Sequence, residues 1–334
     1  MSKIVNVIYT RPIPNFGPLA PEFVQMIQAV DPRIKFRDVA DLVNSEKKED
    51  SSAAKTLNAI LAETEVMFGF PPIPNLLSRA PNLKWVQSPL AGIEHFLTPD
   101  FIASGVFLTN ARGIQVQVSE HALMMTLMLA KKTLQFESQR KEKRWQKDDP
   151  GLLYGKTMGV LGLGHIGSEI ARLAKAFNMK VIGLEIRKRK RSDIVDAFLP
   201  PDRLPELLAK SDFIVSALPL TRDTVGMIGE AQLKLMKPTA YVINISRGGI
   251  VDEKALIRAL KENWIAGAAL DAFVNEPLAS NSPLWDLPHL ILTPHVAGLR
   301  VDYDLQITRL FCKNLRRYLK GQELLNIVDK EKGF

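Results

Sequence analysis

The chain is nearly without cysteine. Cys312 is the only one in 334 residues, which excludes an intramolecular disulfide framework and fits a reducing compartment. Long apolar runs are missing too. The most apolar stretch, residues 122–130, falls far short of the roughly eighteen residues that a membrane-spanning helix requires. No charged-then-apolar leader opens the sequence, because Met1, Ser2 and Lys3 run directly into strand-like residues 4–9. The expectation is a cytoplasmic protein with no membrane partner. Internal repeats and low-complexity segments are absent, as are zinc-type ligand spacings, so no metal is expected.

What is present is ordinary in amount and uneven in placement. Apolar residues make up 46% and charged residues 24%, as in soluble globular proteins, and the length suggests two domains. The formal charge of +8 raises the question of nucleic acid. Its excess lies in residues 140–147 and in the run Arg187-Lys188-Arg189-Lys190-Arg191. Neither run is accompanied by a helix-turn-helix or an aromatic RNA-binding pattern. The charge is better explained by anionic small molecules than by nucleic acid.

Residues 160–167 read Val-Leu-Gly-Leu-Gly-His-Ile-Gly, a G-x-G-x-x-G pattern that is weak alone. Its context is stronger. Residues 157–161 suit a buried strand. Residues 168–177 place Ile170, Ala171, Leu173, Ala174 and Phe177 on one helical face, and 180–184 read as the next strand. That strand delivers Glu185, eighteen positions after Gly167. Gly162 permits the tight turn, Gly164 lets a pyrophosphate approach the backbone, and Gly167 allows close helix–strand packing. Glu185 stands where a carboxylate accepts hydrogen bonds from a ribose. The pattern predicts a dinucleotide-binding unit.

Around it, strands are expected at 3–9, 35–39, 65–70, 83–87 and 106–109, with helices at 22–30 and 53–63. This first α/β unit lacks a glycine fingerprint of its own. A second, spanning 155–294, should hold six strands (157–161, 180–184, 213–217, 240–245, 266–270, 290–293), with helices at 168–177, 204–209, 230–235 and 253–261. Residues 118–131 form a helix with almost no polar face, which needs covering on all sides by the domains or by a second subunit. The same helix is expected to continue, strongly charged, to 147. A last helix, 301–319, follows the nucleotide unit and is expected to return to the first.

In open α/β sheets, ligands bind beyond the carboxyl ends of the strands. There the sequence places Ser246 and Arg247, then Asp271 with Glu276, then His295, and also Ala217, Leu218 and Pro219. A histidine oriented by a carboxylate is a good proton donor near neutral pH, and a guanidinium forks onto a carboxylate or a polarised carbonyl. Carbonyl reduction with a nicotinamide needs both.

Gly162 to Gly167, the run 244–252 (Asn-Ile-Ser-Arg-Gly-Gly-Ile-Val-Asp), Ala269-Leu270-Asp271 with Glu276-Pro277-Leu278, and 292–298 (Leu-Thr-Pro-His-Val-Ala-Gly) resemble the D-isomer-specific 2-hydroxyacid dehydrogenase family, in particular its short 2-ketoacid reductases. The resemblance implies two doubly wound parallel-sheet domains, a Rossmann-type nucleotide domain (113–297) inserted into a flavodoxin-like substrate domain (1–112 with 298–334). It implies Arg247, Glu276 and His295 as the catalytic triad. For the substrate it implies Gly69, Ser88, Leu90, Ala91 and Gly92 with Arg247. Phe68, Gly69, Phe70 and Pro71 are similar to a closing loop. Cofactor contacts are implied at Gly162, Gly164, His165, Ile166, Gly167, Glu185, Arg187, Ala217, Leu218, Pro219, Thr224, Ile245, Ser246, Asp271, His295 and Gly298. The helix starting near Val118 would form a homodimer. Glu185 favours NAD by repelling a 2′-phosphate, whereas Arg187, Lys188 and Arg189 would embrace one, so NADP remains a rival. Two other functions fit the same scaffold: a nicotinamide-sensing corepressor and a phosphite-type dehydrogenase.

Overall fold

The computed structural model describes residues 4–11, 18–70, 72–112, 116–185 and 194–333. The chain divides into two compact units, Met1–Ile114 with Val301–Phe334, and Gln115–Arg300.

In the first unit five strands, β1 (Val5–Thr10), β2 (Ile34–Asp38), β3 (Val66–Gly69), β4 (Trp85–Gln87) and β5 (Phe107–Thr109), form one parallel sheet ordered 2-1-3-4-5. That is the flavodoxin-like order. Both β3 and β4 are buried throughout, and β3 reads as an unbroken apolar run instead of an alternating one. Helices α1 (Pro21–Gln28), α2 (Ala40–Glu46), α3 (Ser51–Glu63) and the short α4 (Leu76–Arg79) and α5 (Pro99–Ala103) supply the crossovers. Asp50 caps α3, its side chain accepting from the Ser52 and Ala53 N–H groups. The C-terminal helix α12 (Tyr303–Leu319) belongs to this unit. Its Ile307, Phe311 and Leu315, four apart, form one buried stripe. The Phe311 ring stacks on Phe68 and Trp85 at centroid distances of 4.4 and 5.3 Å, a burial worth about 2–3 kcal/mol for that side chain.

The second unit carries seven parallel strands: β6 (Thr157–Leu161), β7 (Lys180–Leu184), β8 (Ala197–Leu199), β9 (Phe213–Ser216), β10 (Tyr241–Asn244), β11 (Gly267–Leu270) and β12 (Leu290–Leu292), ordered 12-11-10-9-6-7-8. The order reverses beside β6, which pairs with β7 on one side and β9 on the other. This is a Rossmann-type doubly wound sheet with one extra strand. Its helices are α6 (Val116–Ala130), α7 (Thr133–Lys141), α8 (His165–Ala176), α9 (Leu204–Lys210), α10 (Glu230–Lys234) and α11 (Glu253–Lys261).

Three expectations need correction. Among the described residues the sheet of the second unit has seven strands, not six. The extra one, β8, is an edge strand whose Ala197 and Phe198 stay exposed, so it lacks the apolar signature of its neighbours. The apolar helix does not continue to 147. Lys132 takes φ 54° in the left-handed region, ending α6 and starting the separate α7, and helix stops at Lys141. The dinucleotide helix begins at His165 with Gly164 as N-cap, three residues before the periodic run. Within its own unit α6 buries Val118, Ala122, Met125 and Leu129, while Met124 remains 39% exposed. No described helix is long and apolar enough to cross a membrane.

Candidate active site

The glycine turn lies at the point where strand order reverses, between β6 and α8. Gly162 has φ +89°, a conformation that side chains disfavour, and a Cβ there would press on Leu218 and Ala217 beyond β9 at 2.9 and 3.0 Å. A Cβ on Gly167 would stand 1.8 Å from the Gly162 carbonyl oxygen, so only glycine lets α8 lie this close. At Gly164 the same construction meets nothing within 4 Å. The backbone there faces open space at the N-terminus of a twelve-residue helix, whose first N–H groups point outward unsatisfied by the helix itself. A dinucleotide pyrophosphate fits this cradle. His165 and Ile166 open the helix, and Glu185 follows directly on β7, its N–H donating to the Leu199 carbonyl. Arg187 and the rest of the basic run lie outside the described residues, as does Pro71.

Beyond β9, Pro219 is held by Thr224, whose hydroxyl donates to the Pro219 carbonyl at 2.6 Å and accepts the Thr221 N–H at 2.8 Å. Thr224 thus shapes the loop carrying Ala217 and Leu218. Beyond β10, Ile245 is buried and Ser246 donates to Asn244 Oδ1 at 2.8 Å, with Ser216 Oγ 2.7 Å away. Asn244 Nδ2 in turn donates to the Arg247 carbonyl at 2.9 Å, and Arg247 Nη1 donates to the Ser246 carbonyl at 2.9 Å. Arg247 is fixed by its own strand end. Gly248 admits the Phe273 backbone, since a Cβ would lie 1.9 Å from that carbonyl carbon.

His295 and Glu276 come together. His295 Nδ1 lies 2.7 Å from Glu276 Oε2, and Glu276 Oε1 accepts the Phe273 N–H at 2.9 Å. An ionised carboxylate only accepts, so Nδ1 carries the proton of this bond and Nε2 is the nitrogen left to face a ligand. Both side chains keep solvent access, at 43% and 37%. His295 has φ 54°, in the left-handed region, and its N–H donates to the Thr293 carbonyl at 2.9 Å.

Asp271 is only 1% exposed. Its carboxylate accepts the Val296 and Ala297 N–H groups at 2.9 Å each and the Thr293 hydroxyl at 2.5 Å. The register pairing Leu270 with Leu292 sets Asp271 beside Thr293 on adjacent strand ends. Two residues not singled out from the sequence join them. His121 Nε2 lies 3.0 Å from Thr293 Oγ1, and Gln117 Nε2 donates to the Gly298 carbonyl at 2.8 Å. The signal was available: His121 is a lone imidazole directly before the most apolar stretch of the chain, residues 122–130.

In the first unit, the Ser88–Gly92 segment leaves β4. The Ser88 hydroxyl accepts the Leu90 N–H at 3.1 Å, the Leu90 carbonyl accepts the Ala111 N–H at 3.0 Å, and Asn110 Nδ2 donates to the Ala91 carbonyl at 2.8 Å. The Ala91 and Gly92 N–H groups have no protein acceptor among the described residues. Gly69 ends β3 and packs on Thr10, where a Cβ would lie 2.1 Å from the carbonyl oxygen. Tyr303 donates to the Pro89 carbonyl at 2.6 Å. Among the described residues no group of three metal-ligating side chains occurs.

A glycine cradle at the switch point, with a histidine–carboxylate pair and an arginine at neighbouring strand ends, defines a nucleotide-dependent oxidoreductase of the doubly wound class. Residues 123–297 match the family model of the D-isomer specific 2-hydroxyacid dehydrogenase NAD-binding domain. The glyoxylate reductase of Thermococcus gammatolerans is 33% identical over 340 residues, covering 98% of this chain and 96% of that protein. Among solved structures, the D-isomer specific 2-hydroxyacid dehydrogenase of Xanthobacter autotrophicus Py2, in complex with NADPH and MES, superposes with a TM-score of 0.83 at 28% identity and covers 100% of both chains. The D-lactate dehydrogenase of Aquifex aeolicus, complexed with NAD and lactic acid, gives 0.77 at 27% identity, covering 97% of this chain and 99% of that one. The chain belongs to the D-isomer specific 2-hydroxyacid dehydrogenase family. It is an NAD(P)-dependent oxidoreductase that interconverts 2-ketoacids and 2-hydroxyacids.

Proposed function

We propose that this enzyme reduces small 2-ketoacids, glyoxylate foremost, giving D-2-hydroxyacids where the product is chiral, with His295 as proton donor. The observation that carries this reading is the 2.7 Å bond between His295 Nδ1 and Glu276. Gly162–Gly167, Ala217–Pro219 and Ser246 would hold the dinucleotide, which would supply the hydride when bound. His295 Nε2 delivers a proton to the substrate carbonyl oxygen while Glu276 stabilises the imidazolium, and Arg247 polarises that carbonyl or pairs with a carboxylate. The open Ala91 and Gly92 N–H groups suit a carboxylate. The relatives support glyoxylate, because the Thermococcus protein bears that name.

Glu185 at the end of β7 favours NAD, since its charge opposes a 2′-phosphate. Arg187 and its basic neighbours are the residues by which NADP would compete. The half-exposed apolar side of α6, with Leu123, Met124, Leu127 and Met128, supports a homodimer. Turnover of a panel of 2-ketoacids with NADH and NADPH tests the substrate, and His295→Gln tests the donor. That substitution is expected to lower kcat roughly a hundredfold or more. Retention of kcat in it would remove His295 from the chemistry.

A further inference from the structure

The histidine that donates the proton is itself held in an uncommon backbone conformation. Left-handed φ is uncommon outside glycine, with asparagine, aspartate and histidine the types found there most often, and at a functional site it persists where surroundings over-determine it. What fixes it here is a hydrogen-bonded chain that starts on another element. Thr293 has one hydroxyl proton, and the Asp271 carboxylate takes it at 2.5 Å. The Thr293 oxygen therefore accepts from His121, whose Nε2 at 3.0 Å must carry a proton. Asp271 is left to hold the Val296 and Ala297 N–H groups, the two that follow His295. Gln117, one turn before His121 on the same face of α6, clamps the Gly298 carbonyl beyond them. Residues 293–298 are thus tied to α6 at both ends and to β11 in the middle. Every member is buried or half-buried, where an unpaired polar group is costly, so the chain holds as a set.

We propose that His121 and Thr293 are positioning residues for proton transfer, orienting Asp271 so that its carboxylate locks the backbone following His295. The proposal rests on the assignment of His295 as proton donor. Thr293→Val keeps the side-chain shape and removes both hydrogen bonds, whereas Thr293→Ser keeps the hydroxyl. Without it the Asp271 carboxylate turns, the 295–297 backbone relaxes, and His295 loses its fixed aim. Misplacement of a catalytic group by a fraction of an ångström costs on the order of tenfold.

The test is a double-mutant cycle in ketoacid reduction, with a substrate whose chemistry limits kcat. Thr293→Val is expected to lower kcat about tenfold with both KM values within about twofold, and Thr293→Ser to restore it. In a His295→Gln background, Thr293→Val should add no further loss, because its effect acts through the imidazole. In the cofactor-free protein, hydrogen exchange at the Val296 and Ala297 amides should quicken in Thr293→Val and not in Thr293→Ser. Unchanged kcat in Thr293→Val, or an equal fold-loss in both backgrounds, would overturn the positioning role and leave His295 as donor. A His295→Gln enzyme with full kcat would instead overturn the donor assignment, and the positioning role with it. If Thr293→Val fails to fold, His121→Leu with His121→Gln, which keeps a donor near the Nε2 position, replaces the pair in the same cycle with the same outcomes.

Discussion

Adding one methyl group at Gly164 and at Gly167 separates the binding role of the glycine turn from its packing role. At Gly167 the new Cβ would meet the Gly162 oxygen at 1.8 Å, and contacts under 3.0 Å are essentially never seen. The turn must move by more than an ångström, or α8 must lift from β6. Overpacking of this severity costs about 3 kcal/mol. In a unit of this size each kcal/mol lowers Tm by roughly 2–4 °C, so Gly167→Ala should melt about 6–12 °C below the parent. At Gly164 the methyl enters open space, and φ −65° suits alanine, so only a weakened N-cap is felt, about 1 kcal/mol. Yet that space is where the pyrophosphate would approach the backbone. Loss of one charge-assisted backbone contact and a forced retreat should weaken dinucleotide affinity by about 1.5–3 kcal/mol, or roughly 10- to 150-fold. Calorimetric melting of the free protein and titration with NADH and NADPH measure the two effects separately. Parent-like affinity for both nucleotides in Gly164→Ala would refute the placement of the cofactor, and a parent-like Tm in Gly167→Ala would refute the packing argument.

Glu185→Ser should raise kcat/KM with NADPH relative to NADH, and Arg187→Ala should selectively harm NADPH if the basic run holds a phosphate; steady-state kinetics with both cofactors decides between them. Met124→Glu, which puts a charge on the uncovered side of α6, should convert a dimer to monomer in sedimentation, and a stable, active wild-type monomer at micromolar concentration would sink the dimer. Burial pushes the Cys312 thiol up to about 11, from an ordinary value of 9.0. Alkylation of native Cys312 at pH 8 should therefore be far slower than in the unfolded chain, because the thiolate is the nucleophile. The same raised value means that this group's contribution to stability is complete below about pH 9 and is lost as pH rises toward 11. A native thiol that alkylates as fast as the unfolded one would contradict the burial of Cys312.

The dinucleotide unit was legible in the sequence because local chemistry specifies it. A Gly-rich turn between an apolar strand and an amphipathic helix has few other uses, and buried parallel strands announce themselves as apolar runs. The order and spacing of the runs carrying Arg247, Glu276 and His295 were equally local, and they carried the family resemblance. Sheet order, by contrast, came from the three-dimensional structure. Strand β8 was invisible because an edge strand buries too little to impose a pattern, and the break at Lys132 was invisible because a single left-handed residue leaves no periodic trace. Tertiary structure also decided which donors Asp271 holds. Its partners lie 22 to 26 residues away on an adjacent strand end, and His121 reaches Thr293 across 172 residues. Periodicity reports which face of an element is buried; it cannot report which buried polar groups meet, because that depends on strand register and helix placement between elements distant in the chain.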